Sequence, residues 1–288
     1  MENKQVKFFY LIILALVWGS SFILIKRGLT ALTPFQLGSL RMLLAALFLV
    51  VIGFRSIRHI QLRHWKYLAL TAFFGTFAPA YLFSYAQTEI SSSISAILNS
   101  LTPLNTLIIG IILFQLDFQR RQIIGVVIGL IGSLLLVLNG ANNHPEQNYF
   151  YAFFVVIASV CYAFNVNFIK TYLSDLNPLS ITTGNFLVLL IPATIILYFS
   201  GFFEISHQPQ VKEAIGYVAL LGIVGTALAN ILFFKLIKIS SPVFASSVTY
   251  LIPVVAFLWG LLDNESLTFI QLIGAMIVLA GVYLSAKK

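Results

Sequence analysis

The sequence from residue 241 to residue 281, SPVFASSVTYLIPVVAFLWGLLDNESLTFIQLIGAMIVLAG, repeats the pattern of residues 91–132, SSSISAILNSLTPLNTLIIGIILFQLDFQRRQIIGVVIGLIG. In both stretches the same residue types interrupt two apolar runs in the same order. The equivalent pairs are Pro103 and Pro253, Gly110 and Gly260, Gln122 and Gln271, Gly125 and Gly274, and Gly132 and Gly281. Self-similarity at a nearly fixed spacing indicates an internal repeat, so the chain is predicted to consist of two related halves.

The duplication extends to the other apolar segments. At an offset of 144 residues, Lys26, Leu29, Leu32 and Pro34 match Lys170, Leu173, Leu176 and Pro178. At an offset of 150 residues, Gly75, Thr76 and Phe83 match Gly225, Thr226 and Phe233. A polar stretch separates the halves. We therefore predict a first repeat over residues 8–139, a linker over residues 140–148 and a second repeat over residues 149–286.

The composition is that of an integral membrane protein. Of the 288 residues 59% are hydrophobic and only 9% are charged. A soluble domain carries about 25% charged residues, so this chain has too few charges to solvate its surface. Ten apolar segments approach the roughly 20 residues that a helix needs to cross a bilayer. They cover residues 8–28, 34–54, 66–86, 91–114, 120–138, 149–171, 178–200, 213–235, 241–261 and 267–286.

These segments are predicted to be α-helices, because backbone groups in lipid must be hydrogen bonded internally. The expected fold is an all-α integral membrane protein with ten transmembrane helices. The first segment also has features of a cleaved signal peptide, since Lys4 and Lys7 precede an apolar run. That run continues past Trp18 to Ile25 and is long enough to span the membrane, which favours a retained first helix.

The distribution of basic residues predicts the orientation of the helices. Only Lys26, Arg27 and Lys212 fall at one end of the predicted helices, and thirteen basic residues fall at the other. The thirteen are Lys4, Lys7, Arg55, Arg58, Arg63, Lys66, Arg120, Arg121, Lys170, Lys235, Lys238, Lys287 and Lys288. Both termini are therefore expected in the cytoplasm of a multi-pass protein of the cell membrane.

An odd number of helices in each half predicts two inverted five-helix repeats, because the second half then enters the membrane from the opposite face. Inverted repeats place binding sites near the bilayer midplane at the repeat interface and permit alternating access. A gene fusion kept only for folding would leave the same repeat. Polar residues within the predicted helices favour transport.

Several short motifs occur in a fixed order along the chain. Helix one contains Val17-Trp18-Gly19-Ser20-Ser21-Phe22, and helix two runs from Pro34 to Arg41-Met42-Leu43-Leu44-Ala45-Ala46. Helices four and nine contain Leu101-Thr102-Pro103 and Leu251-Ile252-Pro253, and Glu265 precedes Gln271-Leu272-Ile273-Gly274. Taken in this order, the motifs resemble those of the EamA-type branch of the drug/metabolite transporter superfamily. The resemblance implies a ten-helix carrier that exports amino acids, other small metabolites or drugs.

The resemblance also directs attention to residues for gating or coupling, which we predict to be Glu265, Pro103 and Pro253. The two prolines are equivalent by repeat and are expected to bend helices four and nine. The first half departs from the pattern of the second, with Asp117 near the place of Glu265. The two halves are therefore not expected to share the acidic position equally.

Arg41 is the one full charge that the sequence places well inside a predicted helix. An ionisable residue within the membrane is a functional candidate by default. It would attract an anionic or zwitterionic substrate. Two structural interpretations stay open, namely that Arg41 extends to the outer interface or pairs with Glu89 or Glu265.

Other polar and aromatic residues in the helices are candidates for the wall of a substrate pathway. The alternative for each is a hydrogen bond that holds neighbouring helices together or, for aromatic residues, a position at the membrane interface. In the repeat alignment Asn185 matches Arg41, Asn165 matches Ser21 and Tyr162 matches Trp18. With Arg41, the predicted substrate-pathway residues are Trp18, Ser21, Tyr81, Asn99, Tyr162, Asn165, Asn185, Asn230 and Tyr250.

The sequence contains no pattern typical of catalysis. The four histidines have no metal-ligand spacing, Cys161 is the single cysteine, and no phosphate-binding glycine loop is present. We expect no enzyme, cofactor, metal or nucleic-acid partner, and a small-molecule substrate in a lipid bilayer. The main alternative is a flippase or transporter of lipid-linked or nucleotide sugars with the same fold. A polytopic membrane enzyme is a third hypothesis.

Overall fold

The computed structural model describes residues 2–90, 92–117, 119–141, 149–262 and 269–286, and within these ranges the chain is helical with no strand. The first five helices are α1 (Glu2–Gly28), α2 (Pro34–Gly53), α3 (Leu62–Ala86), α4 (92–114) and α5 (Arg120–Ala141). The others are α6 (Ala152–Tyr172), α7 (Pro178–Phe199), α8 (Pro209–Ile239), α9 (242–262) and α10 (Phe269–Ala286).

Six helical stretches of the described chain are long and apolar enough to cross a membrane. They are Gln5–Gly28, Pro34–His59, Leu62–Ala86, Ala152–Tyr172, Pro178–Phe199 and Pro209–Ile239. Asn99–Phe114 and Pro242–Ala256 are shorter apolar helices. Several helices, among them α1 and α8, begin or end beyond the predicted apolar segments. Their hydrogen bonding continues into polar residues that a count of apolar residues does not include.

Helices α2 and α7 begin in the same way. The Thr33 hydroxyl accepts a hydrogen bond from the backbone N–H of Gln36, and the Asn177 side chain accepts one from the N–H of Ser180. A proline follows each of these capping residues. Proline fits the first helical turn, where its missing N–H needs no partner. The repeat in the sequence is therefore also a repeat in local structure.

Helices α2 and α7 also pack against each other in opposite directions. The Gln36 amide, at the start of α2, donates a hydrogen bond of 2.9 Å to the Ser200 carbonyl after the end of α7. In return the Ser180 hydroxyl, at the start of α7, donates one of 2.9 Å to the Ser56 carbonyl after the end of α2. Because terminal carbonyls of a helix lack partners within it, each helix satisfies one such group of the other.

Two turns of wider π-helix interrupt α3 and α8, at Phe73–Phe77 and Ile223–Leu228. These segments contain Gly75-Thr76 and Gly225-Thr226, the pairs that match in the repeat. Single π turns inside α-helices occur often at functional sites. The sequence repeat did not indicate this backbone geometry, because nothing in residue type alone distinguishes a π turn from regular helix.

The interruptions in α4 and α9 lie close to the predicted proline bends without coinciding. In α4 a 3₁₀ turn at Asn99–Leu101 directly precedes Pro103. In α9 the break is at Ser247, before the helix Val248–Leu262 that contains Pro253. The gating role of the two prolines stays a prediction.

An ion-paired cluster fastens the start of α3 to the connection between α6 and α7. The carboxylate of Asp175 lies 2.9 Å from Nη2 of Arg63 and 3.0 Å from Nε2 of His64. The His64 side chain is buried, and Asp175 is about half exposed. Nδ1 of His64 accepts a hydrogen bond from the Gln61 backbone N–H, so Nε2 carries the proton and donates a hydrogen bond to Asp175.

We expect the Asp175→Asn variant to be less stable than the wild-type chain by about 0.5–1 kcal/mol at pH 7, the value of an exposed ion pair such as that of Asp175 with Arg63. Burial raises the pKa of Asp175, but the hydrogen bond from His64 and the charge of Arg63 outweigh it, so the pKa is lowered from 3.8. The contribution is therefore complete above that value and is lost as the pH falls below it, through the lowered pKa.

The measurement is the free energy of unfolding in mixed micelles between pH 3 and pH 7. Glu204→Gln is the matched control, because Glu204 is an exposed carboxylate for which the described residues provide no ion pair. If the difference in the free energy of unfolding between the wild-type chain and the Asp175→Asn variant is the same at every pH, this interpretation of the cluster is wrong.

Candidate functional site

A cavity of about 820 Å³, including its open mouth, lies among helices α1, α2, α3, α4, α6, α8 and α9. Apolar and aromatic side chains form part of its wall, together with the Arg41 guanidinium and the amide and hydroxyl groups of asparagine, serine and threonine. A polar cavity between apolar helices is unusual, because hydrocarbon-facing helices gain nothing from polar groups.

Most of the cavity wall consists of residues that match each other in the two halves of the sequence. Of its twenty lining residues among those described, sixteen form eight such pairs. The pairs are Trp18 and Tyr162, Ser21 and Asn165, Phe22 and Val166, Thr76 and Thr226, Ala80 and Asn230, Phe83 and Phe233, Asn99 and Thr249, and Thr102 and Ile252. The two halves therefore contribute equivalent surfaces to one shared space.

The π turns bring the two halves into close contact at the cavity. A Cβ atom on Gly225 of α8 would lie 2.8 Å from the Ser21 hydroxyl of α1, and one on Gly75 of α3 would lie 2.5 Å from the Asn165 side chain of α6. These contacts are equivalent in the repeat. The Trp18 indole N–H also donates to the Gly225 carbonyl, at 3.0 Å. Small residues thus let cavity-lining helices of opposite halves approach.

Arg41 is one of the four lining residues without a matched partner in the cavity wall. Its Nε donates a hydrogen bond of 2.6 Å to the Thr226 hydroxyl, which in turn donates to the Leu221 carbonyl at 2.9 Å. Among the described residues no carboxylate pairs with the guanidinium. Its repeat partner Asn185 is buried away from the cavity, with its amide 2.9 Å from the Thr71 hydroxyl. The cavity therefore has one positively charged side.

Two asparagines in the cavity wall have unused hydrogen-bonding capacity. The Asn165 side chain is 3% exposed, and its Oδ1 has no partner in the described structure. Asn230 is half-buried and donates no hydrogen bond to a described residue. By contrast, Asn99 accepts a hydrogen bond of 3.2 Å from Thr102. Polar groups without protein partners beside a cavity are available to a bound molecule.

Seven predicted substrate-pathway residues line the cavity, namely Trp18, Ser21, Arg41, Asn99, Tyr162, Asn165 and Asn230. Three others do not, because each already has a partner elsewhere. The Tyr81 hydroxyl is 2.7 Å from that of Ser39, Asn185 bonds Thr71, and the Tyr250 hydroxyl donates to the Val126 carbonyl. These three are therefore placed in helix packing, not in the cavity wall.

Some lining residues were not among the predicted pathway residues. Thr102 and Ser246 are small polar residues, and Phe83 and Phe233 are a matched aromatic pair. The repeat offers a signal for the phenylalanines, which stand seven or eight residues after the matched Gly-Thr pairs. Glu265, the predicted gating or coupling residue, lies outside the described residues.

Within the described ranges no cluster of three histidine, cysteine or acidic side chains is placed to hold a metal ion. What the site offers is hydrogen-bonding groups, aromatic faces and one positive charge inside a membrane-protein interior. These groups can hold a small molecule by hydrogen bonds, apolar contacts and charge inside a multi-pass membrane protein.

Comparison with known proteins identifies the family. The model of the EamA-like transporter family matches residues 6–138 and 149–287. The chain therefore belongs to the EamA-like transporter family and is a membrane transporter.

Several curated proteins are similar to this chain over nearly its whole length. An uncharacterized transporter of Archaeoglobus fulgidus is 26% identical over 96% of this chain and 98% of its own length. The uncharacterized inner membrane transporter YedA of Escherichia coli K12 is 27% identical, over 94% and 87%. A "Probable amino-acid metabolite efflux pump" of Salmonella typhimurium is 25% identical, over 96% and 93%.

A solved crystal structure shows the same fold. It superimposes with a TM-score of 0.74 at 15% identity and covers 98% of this chain and 96% of its own. At this identity the similarity concerns the fold alone.

Proposed function

We propose that the protein exports amino acids or other small metabolites by alternating access, with the cavity as the binding site. The observation that carries this proposal is the cavity wall itself, which both halves build from equivalent residues. A site shared in this way by two similar halves changes its access from one side of the membrane to the other when the halves rock against each other.

The proposed architecture is ten transmembrane helices in two inverted repeats, residues 8–139 and 149–286, joined by a linker at residues 140–148. The opposite directions of α2 and α7, with their reciprocal hydrogen bonds from Gln36 and Ser180, support the inversion. The excess of basic residues at one end of the helices supports cytoplasmic termini.

The proposed pathway consists of the seven predicted residues that line the cavity, with Arg41 as the group that attracts substrate. Two features support a substrate resembling an amino acid. One is the positive charge of Arg41 beside unpartnered amide groups. The other is the relative named as an amino-acid metabolite efflux pump. We assign Glu265, Pro103 and Pro253 to gating or coupling on the basis of the sequence.

Counterflow in proteoliposomes tests this function. Purified protein is reconstituted into vesicles loaded with one unlabelled compound at high concentration, and uptake of the same labelled compound is followed. The panel contains amino acids, amines and nucleotide sugars, with empty liposomes as the control. We expect saturable uptake of at least one amino acid. Uptake of nucleotide sugars alone would contradict this function and support the alternative, a transporter of lipid-linked or nucleotide sugars.

A further inference from the structure

Among the described residues that line the cavity, the only charged side chain is the positively charged Arg41. Arg41 contributes a guanidinium, which stays protonated under all physiological conditions, and no acidic residue appears among the described lining residues. By sequence, the nine acids are Glu2, Glu89, Asp117, Glu146, Asp175, Glu204, Glu213, Asp263 and Glu265, all in connections or near helix ends. A substrate in the cavity therefore meets a positive charge that no described carboxylate balances.

The guanidinium is held in position with donors to spare. Its Nε is used by Thr226, which leaves the terminal nitrogens without a described hydrogen-bond partner. The Arg41 donors form a planar fork that matches the two oxygens of a carboxylate. Since a charge in a membrane interior is costly without a counter-ion, a substrate carboxylate would relieve part of that cost.

An ammonium group on the substrate would find no comparable partner. The polar groups near the cavity that lack a described partner include the neutral amides of Asn165 and Asn230. Amides donate and accept hydrogen bonds equally well, so they accommodate an amine or a hydroxyl group. The rest of the wall includes Phe22, Phe83 and Phe233, which suit an apolar side chain.

We infer that the cavity recognises the carboxylate of its substrate and does not require the ammonium group. This inference rests on the proposed function and narrows its substrate class. The transported molecules are small monocarboxylates with an apolar side chain, and 2-hydroxy acids are accepted beside the corresponding amino acids. Amines that lack the carboxylate are excluded, because their charge has the same sign as that of Arg41.

Two matched series of compounds test the inference on the purified full-length chain. One series is L-leucine, 2-hydroxy-4-methylpentanoate and 3-methylbutylamine, and the other is L-phenylalanine, 3-phenyllactate and 2-phenylethylamine. Binding is measured by thermal stabilisation of the protein, and transport is measured by counterflow. In at least one series we expect the two acids to bind within about threefold of each other and the amine about tenfold or more weakly, as for loss of a charged hydrogen bond.

The variants Arg41→Gln and Arg41→Lys show whether Arg41 causes this preference. Arg41→Gln is expected to weaken binding of both acids about tenfold and to remove the discrimination against the amine. Arg41→Lys keeps the charge without the fork, so it is expected to retain the preference for acids with weaker binding. If Arg41→Gln does not fold, the comparison of acid, hydroxy acid and amine on the wild-type chain decides alone.

The outcomes separate this inference from the proposed function. Transport of an amino acid together with its amine, or of the amino acid without its hydroxy acid, overturns the inference and leaves transport established. Preserved acid preference in a folded Arg41→Gln variant also overturns it. A wild-type chain that binds and moves no compound of either series overturns both proposals for these substrates.

Discussion

Replacement of Gly281 by leucine is expected to lower the free energy of unfolding by about 3 kcal/mol, at the upper end of the usual cost of overpacking. A Cβ atom on Gly281 would lie 2.5 Å from the backbone nitrogen of Gly129 and 2.7 Å from the carbonyl oxygen of Gly125. Backbone atoms cannot rotate away as a side chain does. Helices α5 and α10 would have to separate along their contact, with the loss of packing on both sides.

The measurement for this variant is equilibrium unfolding in mixed detergent micelles, and Gly216→Leu is the matched control. A Cβ atom on Gly216 would meet nothing within 4 Å, so the same substitution there is expected to be nearly neutral. If the two variants unfold at the same denaturant concentration as the wild-type chain, the close contact of α5 with α10 is wrong.

The variants Gly75→Val and Gly225→Val are each expected to reduce counterflow about a hundredfold, the scale of effect when a positioned group moves by about 1 Å. Valine at residue 75 would displace the Asn165 side chain, and valine at residue 225 would displace the Ser21 hydroxyl and crowd Leu221. Both changes reach the cavity through a π turn. Because the two sites are equivalent in the repeat, the losses are expected to be similar.

Initial counterflow rates of the two variants are compared with those of Gly216→Val, at equal amounts of reconstituted protein. Gel filtration of each variant shows whether it remains folded. A folded Gly75→Val or Gly225→Val variant with wild-type rates would mean that the contacts at the π turns are not part of the transport site.

The sequence predicted an all-helical membrane protein because the signals for its helices are local. Paired prolines and capping residues, such as Thr33-Pro34 and Asn177-Pro178, fix helix starts without reference to the rest of the fold. The length of the apolar segments likewise predicted helices that could cross a membrane, and six such helices are present among the described residues. The π turns in α3 and α8 were beyond this reasoning, since residue type alone does not distinguish a π turn from regular helix.

Part of the cavity wall was predicted for the same reason. Residues polar or aromatic in both halves, such as Ser21 with Asn165 and Trp18 with Tyr162, lie in the cavity wall. Equivalence failed for Asn185, because its partner Thr71 lies within reach and satisfies the amide inside the helix bundle. Residue type shows that a polar group needs a partner, but only the packing of neighbouring helices shows whether the protein or a ligand provides it.

The claim that one cavity between oppositely oriented halves opens to both sides is tested by sided cysteine labelling. In a Cys161→Ala background, Asn230→Cys is exposed to a small membrane-impermeant thiol reagent in right-side-out and in inside-out vesicles. Arg120→Cys and Glu204→Cys, at exposed positions, report the cytoplasmic and the external side. We expect each reference cysteine to react from one side only, on opposite sides, and the cysteine at residue 230 to react from both, more slowly with substrate present. Reaction of both reference cysteines from the same side, or of the cavity cysteine from one side under all conditions, would contradict the account.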